Sequence, residues 1–214
     1  MINIQYFTFG PFQENTYVLW DETKECVIID PGNSTSSENS ALSTFISKNE
    51  LNVKRLILTH AHIDHINGNK YVFDTYGLLP EVHKDDVMFI EKHLTTATMY
   101  GLNAEQSPMP KAFIAEGDVI EFGNSKLNTV HTPGHSPGSI TFYNVGEGFM
   151  ISGDVLFRGS IGRSDLPMGN HETLIQSIIT KLLPLGDAMK VYSGHGPVTS
   201  IGVERVSNPF LSPS

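Results

Sequence analysis

Residues 15–20 (NTYVLW) and 25–30 (ECVIID) are rich in β-branched and aromatic side chains. They flank Asp21-Glu22-Thr23-Lys24, which predicts two strands around a turn. Asp30-Pro31-Gly32 closes the second strand, since proline cannot donate to a ladder and glycine frees the backbone. Ala41, Leu42, Phe45 and Ile46 fall at helical spacing within residues 36–51, behind several serines able to cap. Leu56-Ile57-Leu58 is a continuous apolar run of the kind found in strands buried on both faces. Helices are predicted over 68–76 and 85–100, the second with Val87, Ile90, Leu94 and Ala97 on one face. Beyond Pro110 the period changes to that of strands, over 119–122, 126–130, 139–144 and 149–152. A helix with Leu174, Ile175, Ile178, Ile179, Leu182 and Leu183 on one stripe follows, stopped by Pro184, and a last strand covers 190–193. Buried strands followed by helices in both halves predict an α/β sandwich, with sheets face to face and helices outside.

Composition narrows the class. A chain of 214 residues with 39% apolar and 17% charged residues suits one globular domain over 1–214. The net charge of −9, without a basic stripe, argues against nucleic acid as a partner. Cys26 is the only cysteine, so no internal disulfide or cysteine-rich metal site forms; within Cys26-Val27-Ile28-Ile29 it reads as a buried, inert thiol. The start Met1-Ile2-Asn3-Ile4-Gln5 lacks the features of a secretion signal, and no run is long enough to span a bilayer. A cytoplasmic location and no membrane partner are therefore expected.

The chemistry is concentrated at strand ends. Thr59-His60-Ala61-His62-Ile63-Asp64-His65 leaves a predicted buried strand and carries three histidines and an aspartate within six residues. His60 and His62 alternate and so project to one side of an extended segment, while Asp64 and His65 follow as the chain turns into a helix. Imidazole and carboxylate are ligands for zinc and related divalent ions. His135 in the Pro-Gly turn 131–138, Asp154 in Ser152-Gly153-Asp154 and His195 in Ser193-Gly194-His195 share this setting. Seven donors from four strand ends are too many for one tetrahedral ion and suit two that share a carboxylate. Water activated between two such metals is a nucleophile at neutral pH, and no activated Ser or Cys is set up; Ser136 and Ser139 lack an activating motif.

The cluster His60-x-His62-x-Asp64-His65, with His135, Asp154 and His195 in this order, resembles the signature of the metallo-β-lactamase superfamily over essentially the whole chain. More narrowly, Thr132-Pro133-Gly134-His135-Ser136-Pro137-Gly138, Gly153-Asp154-Val155-Leu156-Phe157, Gly162-Arg163-Ser164-Asp165-Leu166 and Asn208-Pro209-Phe210 are similar to short glyoxalase II-like hydrolases. The resemblance implies an αββα sandwich with two mixed sheets and the metals at one edge. It implies a first metal on His60, His62 and His135 and a second on Asp64, His65 and His195, with Asp154 bridging. The implied cofactors are two divalent ions, zinc foremost, with iron or manganese as alternatives. The implied activity is hydrolysis of a small-molecule thioester, S-lactoylglutathione or another acyl-thiol, by a hydroxide between the metals that Asp64 orients.

The longer glyoxalase II enzymes carry a C-terminal helical domain with basic residues that grip glutathione. This chain ends at Ser214, soon after His195, which leaves the thiol open. The rival within the resemblance is a persulfide dioxygenase with one iron on the equivalents of His60, His135 and Asp154. Residues 158–166 favour the hydrolases, because the dioxygenases usually carry a cysteine and a Phe-Gln there. From another class, a non-catalytic metal-binding module would be signalled by lost ligands, and all seven are present.

Around the cluster, Asp30 is read either as a partner fixing a ligand histidine's tautomer or as a turn cap. His83 and His93 are expected at the surface, His131 in a structural role at a strand end, and His171 as a helix cap. Arg163 and Asp165 are expected to pair and brace their loop, and Tyr143 to be an ordinary strand aromatic. Residues 94–111 break at Gly101 and two prolines. They are read either as a lid over the metals, with Met99, Tyr100 and Met109 as an apolar wall, or as an extension of the core.

Overall fold

The computed structural model describes residues 1–211. A first sheet of six strands runs in spatial order β1 (Asn3–Phe9), β2 (Glu14–Trp20), β3 (Glu25–Ile29), β4 (Asn52–Ile57), β5 (Pro80–Val82) and β6 (Ala112–Phe113). β1 to β3 are antiparallel, and β3 to β6 are parallel. The second sheet contains β7 (Val119–Phe122), β8 (Ser125–His131), β9 (Ile140–Asn144), β10 (Phe149–Gly153), β13 (Lys190–Ser193) and β14 (Thr199–Ser200). Its order is β14-β13-β10-β9-β8-β7, with β10 and β13 parallel and the other pairs antiparallel. A small hairpin, β11 (Leu156–Phe157) and β12 (Ser160–Ile161), follows Asp154.

Alternation along the strands sorts the side chains into layers. Tyr17, Leu19, Val27, Ile29 and Ile57 of the first sheet meet Phe122, Leu127, Ile140, Phe142 and Ile151 of the second in the central core. The intervening residues Val18, Cys26, Ile28 and Leu56 turn outward and are covered by Leu42 and Ile46 of α1 (Ser36–Lys48) and by Val72. Val72 lies on α3 (Asn69–Tyr76), which follows the short α2 (Ile63–Ile66). On the far side, Met150 and Val191 pack against Leu174 of α6 (His171–Ser177) and against Ile178, Leu182 and Ile201. The order is helix, sheet, sheet, helix, as the sequence implies. The uninterrupted apolar stretch Cys26-Val27-Ile28-Ile29 is explained by burial on both faces.

Boundaries differ from the sequence reading where capping or packing decides. Thr35, not a serine, caps α1: its hydroxyl accepts from Glu38 N–H and the Glu38 carboxylate accepts from Thr35 N–H, a capping box. The predicted helix over 85–100 is two, α4 (Val87–Glu91) and α5 (His93–Met99), with a break at Lys92. The long apolar stripe before Pro184 is α-helical only to Ser177, then widens to a π turn over Ile178–Leu182. β1, β5, β6, β14 and α7 (Ile201–Ser207) go unpredicted; they are short, or in the case of β1 largely solvent-facing. No helix among the described residues is long and apolar enough to cross a membrane.

Candidate metal centre

The C-terminal ends of four strands meet at one edge of the sandwich. β4 leads through Leu58-Thr59 to His60, β8 to the turn bearing His135, β10 to Asp154 and β13 to His195. Two backbone bonds lock these ends: Ile140 N–H to Thr59 O at 2.7 Å joins the two sheets, and Gly194 N–H to Gly153 O at 2.9 Å ties the ends of β13 and β10 within the second. Gly153 has φ +52, and a Cβ there would stand 2.3 Å from Thr59 Oγ1, so β10 approaches the first histidine loop only through glycine.

All seven residues singled out in the sequence converge there, in two groups. His60, His62 and His135 form the first: His62 Nδ1 lies 2.8 Å from His135 Nε2, which lies 3.2 Å from His60 Nε2. Asp64, His65 and His195 form the second, with Asp64 Oδ2 3.1 Å from His195 Nε2 and 3.7 Å from His65 Nε2. Asp154 touches both: Oδ2 is 3.4 Å from His135 Nε2 and from His195 Nε2, and Oδ1 is 3.5 Å from His65 Nε2. Donors about 2.0–2.1 Å from a tetrahedral ion lie roughly 3.3 Å apart, the same spacing. His65 Nε2 and Asp154 Oδ1 are buried with no hydrogen-bond partner, a costly arrangement that coordination to a cation would satisfy. The residues present fit divalent metal.

The outward nitrogens are held one by one. His60 Nδ1 is 3.1 Å from Thr59 Oγ1, whose own proton goes to Asp30. His65 Nδ1 is 3.1 Å from Asp30 Oδ2, His135 Nδ1 2.7 Å from Arg163 O, and His195 Nδ1 3.0 Å from Phe12 O. Such partners fix tautomer and ring orientation and leave the inward nitrogen free for an ion. Asp30 is thus the histidine partner; it also accepts from Thr59 N–H at 2.7 Å, and its own φ of +51 supports the turn.

Electrostatics divides the imidazoles. Burial, reinforced by neighbouring histidines, holds His60 well below the ordinary histidine pKa and His62 down at about 3. Burial works the same way on His65 and His195. It is outweighed by Asp64 and Asp154, which hold His65 well above its usual value and bring His195 to about 10. For the two aspartates burial acts upward, but the charge on His65 and hydrogen bonding from His195 keep both carboxylates lowered and ionised.

Two buried acids at the site escape the sequence reading. Asp86, just after β5, accepts from Ala61 N–H at 2.9 Å, Ser136 Oγ–H at 2.8 Å and Gly138 N–H at 2.6 Å, tying the His60 loop to the His135 turn. Glu14 is fully buried beside His65, with Oε1 3.8 Å from Nδ1; desolvation raises its pKa well above the usual range. Glu14 opens β2 between Gln13 and Asn15, a polar stretch that gives no sign of its burial. Asp86 follows a three-residue strand and carries no signal either.

Family models and known relatives agree with this geometry. Residues 9–195 match the model of the metallo-beta-lactamase superfamily. The chain belongs to that superfamily. It is 38% identical over 213 residues to the hydroxyacylglutathione hydrolase GloC of Haemophilus influenzae, covering 99% of each chain. Among solved structures it is similar to the BLEG-1 B3 metallo-beta-lactamase, with TM-score 0.90 and 37% identity over 99% of this chain and all of that one. TTHA1623, solved in a di-iron-bound form, matches with TM-score 0.87 and 36% identity over 97% of this chain and all of that one.

Several flanking residues depart from expectation. His83 and His93 are buried, not at the surface. His83 stacks on His131, with ring centroids 4.4 Å apart, and His131 Nε2 meets Pro137 O at 2.7 Å. His93 uses both nitrogens, Nε2 toward Asn67 Oδ1 and Nδ1 as acceptor from Ser107 N–H. Asn170, not His171, caps α6 through Thr173 N–H. Arg163 and Asp165 do pair, through two bonds of 2.8 Å. Met99 and Tyr100 line the cleft of about 580 Å³ above the metal group, whereas Met109 is not among its lining residues.

Proposed function

We propose that the protein is a metal-dependent hydrolase that cleaves a small-molecule thioester. The observation that carries this reading is the pairing of two three-donor groups through Asp154, with buried polar atoms that a cation would satisfy. His60, His62 and His135 would hold one ion, Asp64, His65 and His195 the other, and Asp154 both. Divalent ions held there supply Lewis acidity and lower the pKa of water from 15.7 to roughly 7.

The chain's own residues do the rest. Asp64 lines the cleft, and its carboxylate, held ionised beside His65 and His195, would orient the attacking water through a hydrogen bond. Asp30, Thr59, Arg163 O and Phe12 O keep the ligand imidazoles in one tautomer while this occurs. The apolar walls exclude water from the acyl group. A thiol leaving group has a pKa near 8.5 and departs with little acid assistance. Cys26 and Ser136 do not compete as nucleophiles: Cys26 is buried with its thiol pushed up to about 12 by desolvation, and the Ser136 hydroxyl donates to Asp86.

The GloC relative makes a glutathione thioester the first substrate to assay, and the di-iron form of TTHA1623 supports iron beside zinc as the ion. Release of thiol from S-lactoylglutathione and other acyl-thiols, abolished by chelation and restored by zinc, iron or manganese, is the expected result. Full metal occupancy with no thiol released from any thioester defeats the reading. A single iron per chain with oxygen uptake on a persulfide replaces it with the dioxygenase.

A further inference from the structure

Away from its donor atoms, the cleft above the metal group is walled by apolar side chains. Phe12, Phe89, Met99, Tyr100, Phe157 and Ile161 supply most of that surface. Its outer rim stands in solvent: Met99 is 81% and Tyr100 50% exposed, and Phe12 meets Tyr100 edge-on with ring centroids 5.6 Å apart. Apolar surface left uncovered and continuous with a polar centre marks a place where a ligand's apolar part is buried. Phe12 also connects rim and centre, because its carbonyl is the acceptor for His195 Nδ1.

Charge at the cleft points the same way. Among the described lining residues Arg163 is the single lysine or arginine. Its Nε and Nη2 both donate to Asp165, at 2.8 Å each, so one edge of the guanidinium is occupied and a substrate carboxylate would share the cation with Asp165. His93 is held toward the neutral form, down to about 4, by burial. The chain's net charge of −9 adds no long-range attraction for an anion. Away from the metal group, a carboxylate brought into this cleft would lose water for a cation whose charge Asp165 already offsets.

Resting on the thioesterase reading, we propose that the preferred substrate is an acyl-thiol with an apolar group seated against Phe12, Met99 and Tyr100 and with an uncharged thiol half. Carboxylate-bearing thiols such as glutathione are then disfavoured by the Arg163–Asp165 pair. The rim reads chain length, and the pair reads charge.

Binding can be measured apart from turnover with thioethers, which cannot be hydrolysed. Zinc-loaded protein would be titrated calorimetrically with S-methyl- and S-decyl-N-acetylcysteamine and with S-methyl- and S-decylglutathione. Affinity is expected to rise about two- to fourfold per methylene while the chain covers the rim. At equal chain length the neutral thiol is expected to bind about tenfold or more tighter than glutathione. Tyr100→Ala and Met99→Ala, both at exposed positions, should flatten the dependence on chain length, and Asp165→Asn should narrow the gap to glutathione. Binding indifferent to chain length, or tighter to glutathione, overturns the proposal. Thiol release from decanoyl-N-acetylcysteamine is scored separately. Its absence alongside the expected binding pattern defeats the thioesterase reading and leaves the cleft assignment standing, whereas thiol release with the opposite binding pattern does the reverse.

Discussion

Asp154 and His195 differ in what they touch, and so in what their loss should do. Asp154 lies within 3.5 Å of donors from both groups, whereas the inward Nε2 of His195 pairs with the carboxylates of Asp64 and Asp154 and with no histidine of the first group. Asp154→Asn should lower metal content at both sites, and His195→Ala should empty mainly one. Elemental analysis of the purified variants reads this directly, and equal losses in the two would contradict it. His93 permits a pH test away from the ligands. Burial depresses its pKa to about 4, while an unfolded chain protonates near 6.5. Between those values the unfolded state binds more protons, so stability falls as pH drops from about 6.5 to about 4, by up to roughly 3 kcal/mol. Denaturation of the parent and of His93→Gln at pH 7.5 and pH 5 should show a smaller pH-dependent loss in the variant; an equal loss would mean that His93 titrates normally.

Loops, more than helices or strands, carry the site, and their placement depends on a few ties. Asp86 joins the loop after β4 to the turn after β8 through three hydrogen bonds. Asp86→Ala would leave those donors buried without an acceptor and should cost about 2–5 kcal/mol, with metal content reduced in the folded fraction. Asp86→Asn keeps the acceptor Oδ1 and should recover part of the metal content. The connection from α5 to β6 was legible as an interrupted helix, but not its destination. Met99, Tyr100 and Met109 are 81%, 50% and 43% exposed, which removes the core-extension reading for these side chains. Tyr100→Ala should therefore shift the melting temperature by only a few degrees and raise KM for the thioester. A collapse in stability with unchanged KM would restore the packing role.

Across the fold, the layers follow from the alternation of apolar residues, and that alternation is local. The runs in β2, β3, β4, β9 and β10, the helical stripe of α1 and the histidine cluster were readable because each is decided by neighbours in the chain. Seven donor residues and the α/β sandwich were visible for the same reason: strand ends marked by glycine beside His or Asp are short-range patterns. What sequence alone did not decide is every relation between residues far apart. The grouping of His135 with His60 and His62 spans two sheets, and the parallel pairing of β10 with β13 inside the second sheet, between segments about 40 residues apart, brings Asp154 beside His195. β5 and β6, at three and two residues, are too short to show a period, so Asp86 behind β5 was passed over. His83 and His93 are polar residues whose burial comes from partners contributed by other segments, Pro137-bound His131 for one and Asn67 with Ser107 for the other. Local sequence thus determined which side chains carry the chemistry and which faces are apolar. Only the face-to-face packing of the two sheets decided which donors come together, because that distance is set by contacts between residues far apart in the chain, such as Phe12 and His195, 183 positions apart.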